Sequence, residues 1–295
     1  MTPQRVVVVG AGGRLGRRLC QDLASAEREV VALSRAELDV TDAAAVTRVI
    51  GGCEPDVVIN CTAYNAVDAA ETDMLSAFAV NAIGPGLLAR AADASGALFV
   101  HYGTDFVFDG YSRTPYVETD APNPLSAYGY SKLAGEVAVR RSIERHYILR
   151  VASLFGGTGV RDHRPTIDAI ADLCASGKTV RALVDRTVSP SHVSDVSRAT
   201  CELIEGAADY GTYHCVSSGD PSWYDLACHV AFCLGASTRI EPLTVAELKT
   251  AARRPQFCAL SNSKLRAAGV DVPDWQSAVA LHLRARMGQT TAAAF

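Results

Sequence analysis

The sequence predicts an α/β fold, a doubly wound parallel sheet with a smaller lobe toward the C-terminus, and three observations predict it. Short runs rich in β-branched and aromatic residues recur along the first half, helical stretches separate them, and a glycine cluster follows the first run directly. The runs are Val6 to Val9, Glu29 to Leu33, Asp56 to Cys61, Ala97 to Tyr102 and Tyr147 to Val151. After Gly13, Leu15, Leu19 and Leu23 repeat every four residues, while Arg17, Arg18, Gln21 and Asp22 supply a polar side. That pattern is a crossover helix, and its repetition builds a sheet whose ligand crevice lies beyond the carboxyl ends of the strands. Beyond residue 170 the pattern becomes turn-rich. Residues 1–170 are therefore expected to form the dinucleotide-binding (Rossmann) part, with about 193–217 returning to it. Residues 171–192 and 218–295 are expected to form the substrate lobe. Thr290 to Phe295 reads as a frayed tail.

Composition narrows the class. A chain of 295 residues, 48% hydrophobic and 20% charged, can bury a full core. A formal net charge of −4 without a basic block argues against nucleic acid as a partner. No apolar run reaches the roughly 18 residues that would suggest a membrane span, and the N-terminus lacks the pattern of a secretion signal. The nine cysteines are odd in number and form no CxxC pair, so they read as reduced thiols of a cytoplasmic protein.

The first chemical motif is the turn Gly10, Ala11, Gly12, Gly13, Arg14, Leu15, Gly16. Glycines suit a tight turn whose backbone must approach a pyrophosphate at a helix N-terminus. The spacing of Gly10, Gly13 and Gly16 is GxxGxxG. The second strand ends in Ser34 and Arg35, without the acidic residue that would bond a ribose 2′-hydroxyl. Arg35 suits a 2′-phosphate, which favours NADPH, with NADH as the alternative.

The second motif is Tyr128, Gly129, Tyr130, Ser131, Lys132. Tyr128 and Lys132 share one helix face at i, i+4 spacing, and an ammonium beside a phenol is expected to lower the phenol pKa and make Tyr128 a proton donor. Tyr130 has Ala134 at i+4, which carries no charge. A third element, His101 to Phe106, ends the fourth strand. There the Thr104 hydroxyl is placed to donate to a substrate carbonyl, while His101 and Tyr102 read as packing residues.

With these elements placed, the chain resembles the dTDP-4-dehydrorhamnose reductase family of the extended short-chain dehydrogenases/reductases. The resemblance runs almost end to end, through Asp56 to Glu71, Gly103 to Gly110, Tyr128 to Glu136, Asp185 to Asp195, Gly211 to Asp225, Arg253 to Pro255 and Pro273 to Trp275. It implies that Thr104, Tyr128 and Lys132 are a catalytic triad for reduction of the C4 keto group of a nucleotide-linked 4-keto-6-deoxy sugar. It implies that Asp39 and Val40 lie near the adenine, and Ala63 and Tyr64 along the cofactor. Asp105, Phe106 and Ser153 fall at sugar-facing positions, and Arg253 and Arg254 at positions suited to a diphosphate, which guanidinium groups bond in a fork.

Departures from the family pattern cluster around the sugar. Gly103 and Phe106 each lack a usual hydroxyl, Ser153 replaces a tryptophan, Asn65 replaces a threonine and Cys258 a serine. Reductase chemistry is expected to persist, while the sugar stays open between dTDP-4-dehydro-L-rhamnose and another nucleotide-linked 4-keto-deoxysugar. A third reading is a non-catalytic, NADP-binding regulatory subunit similar to that of methionine adenosyltransferase. The metal described for some family members relies on acidic side chains, and Leu15 occupies one of those positions, so no metal is expected. A homodimer is left open.

Overall fold

A computed structural model of the chain describes residues 4–26, 28–157 and 166–292. Its strands are β1 (Arg5–Val9), β2 (Glu29–Leu33), β3 (Val57–Asn60), β4 (Leu98–Thr104), β5 (His146–Val151), β6 (Leu154–Phe155), β7 (Val180–Leu183), β8 (Ser191–His192), β9 (Gly211–His214) and β10 (Ile240–Leu243). Its α-helices are α1 (Arg14–Ser25), α2 (Ala43–Cys53), α3 (Met74–Phe78), α4 (Gly84–Ala94), α5 (Ala127–Ser142), α6 (Thr166–Ala175), α7 (Val193–Glu205), α8 (Trp223–Cys233), α9 (Ser263–Ala267) and α10 (Trp275–Ala292).

Six strands form one parallel sheet in the order β2-β1-β3-β4-β5-β9. The chain leaves β1 toward β2 and then returns to the other side of β1 as β3. That reversal opens a crevice at the carboxyl ends of the strands. Alternate residues of β1 explain its unbroken apolar run: Val6 and Val8 face one core with α1 and α7, whereas Val7 and Val9 face another with α2, α4 and α5.

A separate core joins Ile167 and Ile170 of α6, Leu226 and Val230 of α8, and Trp275 and Val279 of α10. Two short parallel pairs, β6 with β8 and β7 with β10, flank it. The chain crosses between the cores repeatedly. Besides α7 and β9, Leu265, Val270 and Val272 pack into the first core, within the stretch expected to belong wholly to the lobe. The expected frayed tail begins inside α10, which runs to Ala292; residues 293–295 lie outside those described.

The continuous helical stretch Met74–Ala94 is long and apolar enough to cross a membrane by length and composition. It is interrupted by a π turn at Ala79–Ile83, and α4 packs against α2 and α5. Those contacts make it a core helix of the α/β fold.

Candidate functional site

The glycine turn leaves no space for a side chain at its two tightest points. Gly10 has φ +82°, and a Cβ there would lie 2.9 Å from the Cys61 carbonyl carbon; at Gly16 a Cβ would lie 2.5 Å from the Gly10 carbonyl oxygen. Gly13 caps α1 without a side-chain hydrogen bond, so no side chain competes for the N–H groups of the first helical turn. Twelve residues of helix point their positive end at this turn. The cradle therefore fits a dinucleotide pyrophosphate. Leu15 is buried beneath it, and Arg14 reaches over the turn to the carbonyl oxygens of Gly156, at 3.4 Å, and Gly157, at 3.3 Å.

Beside the turn lies a cavity of about 710 Å³, lined by Gly13 to Gly16, Ala63, Thr104, Asp105, Phe106, Tyr128, Lys132 and Ser153. The expected triad converges here because β4 ends at Thr104 and α5 starts one residue before Tyr128. Ser126 caps α5, its hydroxyl accepting from the Gly129 N–H at 3.2 Å. Phe106 stands edge-on to Tyr128 with ring centroids 5.6 Å apart. At this departure from the family pattern, an aromatic wall supports the phenol.

The electrostatics differ from the sequence expectation. Burial pushes the Tyr128 phenol up to about 12, opposed by a hydrogen bond with Thr104 and reinforced by the Asp105 charge. Lys132 is not among the groups that lower it. Its Nζ instead donates to the Tyr102 carbonyl at 2.6 Å, and burial brings its own pKa down to about 8. Sequence spacing placed the ammonium on the right face, but the Tyr102 carbonyl of β4 captures it. The Thr104 hydroxyl donates to Asp105 Oδ1 at 3.0 Å and accepts the Phe106 N–H at 3.3 Å. Burial raises the Asp105 carboxyl to about 6, against the pull of Arg186 and Thr104.

The remaining expected cofactor residues divide. Ala63 lines the cavity. Tyr64 lies just outside it, its phenol donating to Asp73 at 3.3 Å. Arg35 and Asp39 are exposed beyond β2, and the Arg35 charge helps hold the Asp39 carboxyl below its usual range, after the hydrogen bonds from Thr41. Val40 has its side chain buried in the core against Gly84 and does not line the cavity. A residue not anticipated is Asn81, fully buried in the π turn. Its side chain accepts from the Tyr64 N–H at 2.8 Å and donates to the Tyr64 carbonyl at 3.1 Å and to Ser131 Oγ at 3.0 Å. It thereby ties the β3 loop to α5. An asparagine inside an otherwise apolar helical run was its signal in the sequence.

The departures also find physical reasons. A Cβ at Gly103 would lie 2.5 Å from Glu136 Oε1, so packing against the buried Glu136–Arg150 pair accounts for that glycine. Ser153 borders the cavity in the left-handed region at φ +44°. Cys258 lies beside Asp105 and Arg186, its thiol pushed up by burial. The lobe contributes an unforeseen aromatic, Trp223, to the cavity wall.

A second cavity of about 290 Å³ adjoins this region, lined by Arg186, Arg253, Gly110 and Thr250 among others. Both arginines of the expected pair line this cavity, with different bonding. Arg253 is exposed at the cavity, whereas both terminal nitrogens of Arg254 are bonded to Asp68, at 2.9 and 2.7 Å. Arg186, whose guanidinium lies 5.4 Å from the Phe106 ring centroid, borders the second cavity and faces Asp105. Among the described residues no group of three or more His, Cys, Asp or Glu is arranged to hold a metal.

A parallel sheet with its switch point over a glycine turn, and a Thr, Tyr and Lys gathered beside that turn, define an oxidoreductase of the extended short-chain dehydrogenase/reductase class. The family model for the RmlD substrate binding domain matches residues 4–287. A relative from Burkholderia thailandensis described as a dTDP-4-dehydrorhamnose reductase is 36% identical, over 97% of this chain and 100% of that protein. One from Streptomyces antibioticus, described as a probable dTDP-4,6-dihydroxy-2-methyloxan-3-one 4-ketoreductase, is also 36% identical, over 93% of each chain. The crystal structure of a dTDP-4-dehydrorhamnose reductase from Bacillus anthracis in complex with NADP superposes with a TM-score of 0.90 at 30% identity, over 96% of this chain and 99% of that one. The chain belongs to the dTDP-4-dehydrorhamnose reductase family.

Proposed function

We propose that the protein reduces the C4 keto group of dTDP-4-dehydro-L-rhamnose to the alcohol of dTDP-L-rhamnose, using NADPH. The observation that carries this reading is the convergence of Thr104, Tyr128 and Lys132 in the cavity beside the glycine turn. The relatives' names support the sugar, and the NADP complex of the Bacillus anthracis protein supports the cofactor. Bound NADPH supplies the hydride that adds to C4. Thr104 orients the carbonyl oxygen by donating its hydroxyl proton to it, exchanging the bond now made to Asp105. Tyr128 is fully protonated at neutral pH because its phenol lies near 12, so it is loaded to protonate the alkoxide. The phenolate left behind is disfavoured by the same burial, and Lys132, one helical turn away, offsets it only by turning from the Tyr102 carbonyl it now bonds. Gly10, Gly13 and Gly16 hold the pyrophosphate, and Arg35 the 2′-phosphate. Asp105, Phe106 and Ser153 face the sugar, while Arg253 and Arg186 meet the diphosphate. Nine free cysteines agree with a reducing, cytoplasmic location.

One specific observation favours a second sugar. Ser153 stands in the cavity wall where the family pattern has tryptophan, and the Streptomyces antibioticus relative is described as a probable 4-ketoreductase of a different dTDP-linked keto sugar. The test is NADPH oxidation with a panel of dTDP-4-keto-6-deoxy sugars. Turnover on dTDP-4-dehydro-L-rhamnose at least as efficient as on the others upholds the first reading. A preference of tenfold or more for another sugar, on the order of 1.4 kcal/mol, replaces it with the second.

A further inference from the structure

The Arg254–Asp68 contact spans 186 positions of sequence and joins the two walls of the site. Arg254 donates from both terminal nitrogens to the two carboxylate oxygens, and Asp68 Oδ1 also accepts the Ala252 N–H at 2.9 Å. This fork grips the 252–254 loop itself, since Arg254 further donates to the Ala252 carbonyl at 3.2 Å. The Arg254 guanidinium holds the Asp68 carboxyl down at about 2, so the pair stays charged at neutral pH. The Arg254 side chain is 18% exposed and that of Asp68 46%, so the pair is half-buried, and its two parallel bonds hold it in one geometry.

What lies on either side of the pair gives it a purpose. Asp68 leads directly into a 3₁₀ turn, Ala69–Glu71, and Glu71 Oε1 accepts the N–H of Ala127 at 2.9 Å. Ala127 immediately precedes Tyr128, and Ala70, Ala127 and Tyr128 pack in one small cluster. One short turn thus touches the lobe at one end and the start of α5 at the other. On the lobe side, the loop carrying Arg253 is fastened beyond the pair as well. The Thr187 N–H donates to the Gln256 carbonyl at 2.8 Å, and Pro255 packs so closely on Gly110 that a Cβ there would lie 2.6 Å from it.

We propose that Asp68 and Arg254 are positioning residues that latch the Arg253 loop to the start of α5. The latch sets the distance between the anion-binding cavity and the reacting phenol. Its function is substrate affinity: an unlatched loop must be ordered on each binding event, whereas a latched one presents Arg253 already placed. The identity of the substrate rests on the function proposed above; the latch itself rests on the contacts just described.

The test compares wild type with Asp68→Asn, Arg254→Ala and Arg254→Lys. Steady-state kinetics with the nucleotide sugar would be paired with calorimetric titrations of NADPH and of dTDP alone. Asp68→Asn and Arg254→Ala should raise KM and the dTDP dissociation constant by roughly ten- to thirtyfold, the scale of a lost charge-assisted fork. At saturating substrate kcat should stay within about threefold and NADPH affinity should not move, since neither residue touches the reacting atoms or the glycine turn. Arg254→Lys should recover part of the loss, keeping charge without the planar fork. Unchanged KM and dTDP affinity in Asp68→Asn would overturn the latch. So would parallel losses in kcat, NADPH affinity and Tm, the signature of general loosening. If the wild type turns over no 4-keto sugar, the proposed function fails while the dTDP titrations still decide the latch; a wild type that binds no dTDP overturns both.

Discussion

The two regions to which binding is proposed are built by different means. Around the glycine turn, the cradle is made of backbone: Gly10 and Gly16 leave carbonyls and amides closer than any side chain would permit, over the N-terminus of α1. Around the second cavity, the wall is made of charged side chains, with Arg186, Arg253 and Arg254 lining it and Arg254 bonded to Asp68. A backbone cradle comes from a few consecutive residues of a strand, turn and helix. A charged wall must be assembled from segments far apart in the chain, and therefore needs ties such as the Asp68 fork. Thr104, Tyr128 and Lys132 lie between the two regions, on elements of the main sheet layer.

The largest effect should come from the junction itself. Tyr128→Phe should lower kcat by roughly two to four powers of ten while leaving NADPH and dTDP affinities close to wild type, because proton donation alone is removed. Stopped-flow turnover beside binding titrations would check it, and near-normal turnover would remove Tyr128 from the mechanism. In the backbone-built half, Gly16→Ala places a methyl group against the Gly10 carbonyl, with a loss of about 1–3 kcal/mol of stability and a parallel loss of NADPH affinity. Thermal unfolding with and without NADPH reads both. A fully stable, NADPH-competent Gly16→Ala protein would break the comparison.

Arg253→Ala probes the charge-built half. It should raise KM for the nucleotide sugar about tenfold, the low end for an exposed charge-assisted bond, with stability and NADPH affinity unchanged. Arg35→Ala then asks whether the first half also uses charge. It should weaken NADPH by about 1.5 kcal/mol and NADH hardly at all, and equal losses for the two cofactors would mean that Arg35 points to solvent.

The smallest effect concerns Asp105. Its carboxyl titrates near 6 in the folded protein, above its ordinary value of 3.8, so between these values the native state holds more protons than the unfolded one. Its contribution to stability is present below about pH 4 and is lost as pH rises through 6. Asp105→Asn should therefore gain on the wild type across that window by a Tm difference of about 2–4 °C, the scale of 1 kcal/mol in a chain of this size. Parallel Tm curves for the two proteins from pH 4 to 7 would show that solvent reaches the carboxyl and that the crevice is not dry.

Legibility in the sequence followed the separation of the partners. The glycine turn and the pair Tyr128 and Lys132 were readable because each is a local pattern, a strand–turn–helix in one case and a single helix face in the other. Arg253 and Arg254 are adjacent in sequence and were read as one feature. Both line the second cavity, but their roles differ because Asp68 lies within reach of only one. Lys132 shows the same limit at closer range. Its face of α5 followed from spacing, but its partner, the Tyr102 carbonyl, depends on where β4 ends beside that helix. Val40, assigned by resemblance to the adenine site, is buried because Gly84 leaves room for it in the core.

By itself the sequence determined the α/β class, the alternation of strands and helices through the first half, the glycine turn and the helix face shared by Tyr128 and Lys132. All of these arise from periodicity and steric limits that act within one or two neighbouring elements. The tertiary structure alone decided that α7, β9 and the segment around Leu265 rejoin the first core, and that Phe106 braces the phenol. It alone decided that Asp105 is held near 6 and that Arg254 serves as a tie. Those outcomes depend on burial and on charge pairing across long stretches of chain, and neither quantity exists until the fold has brought the partners together.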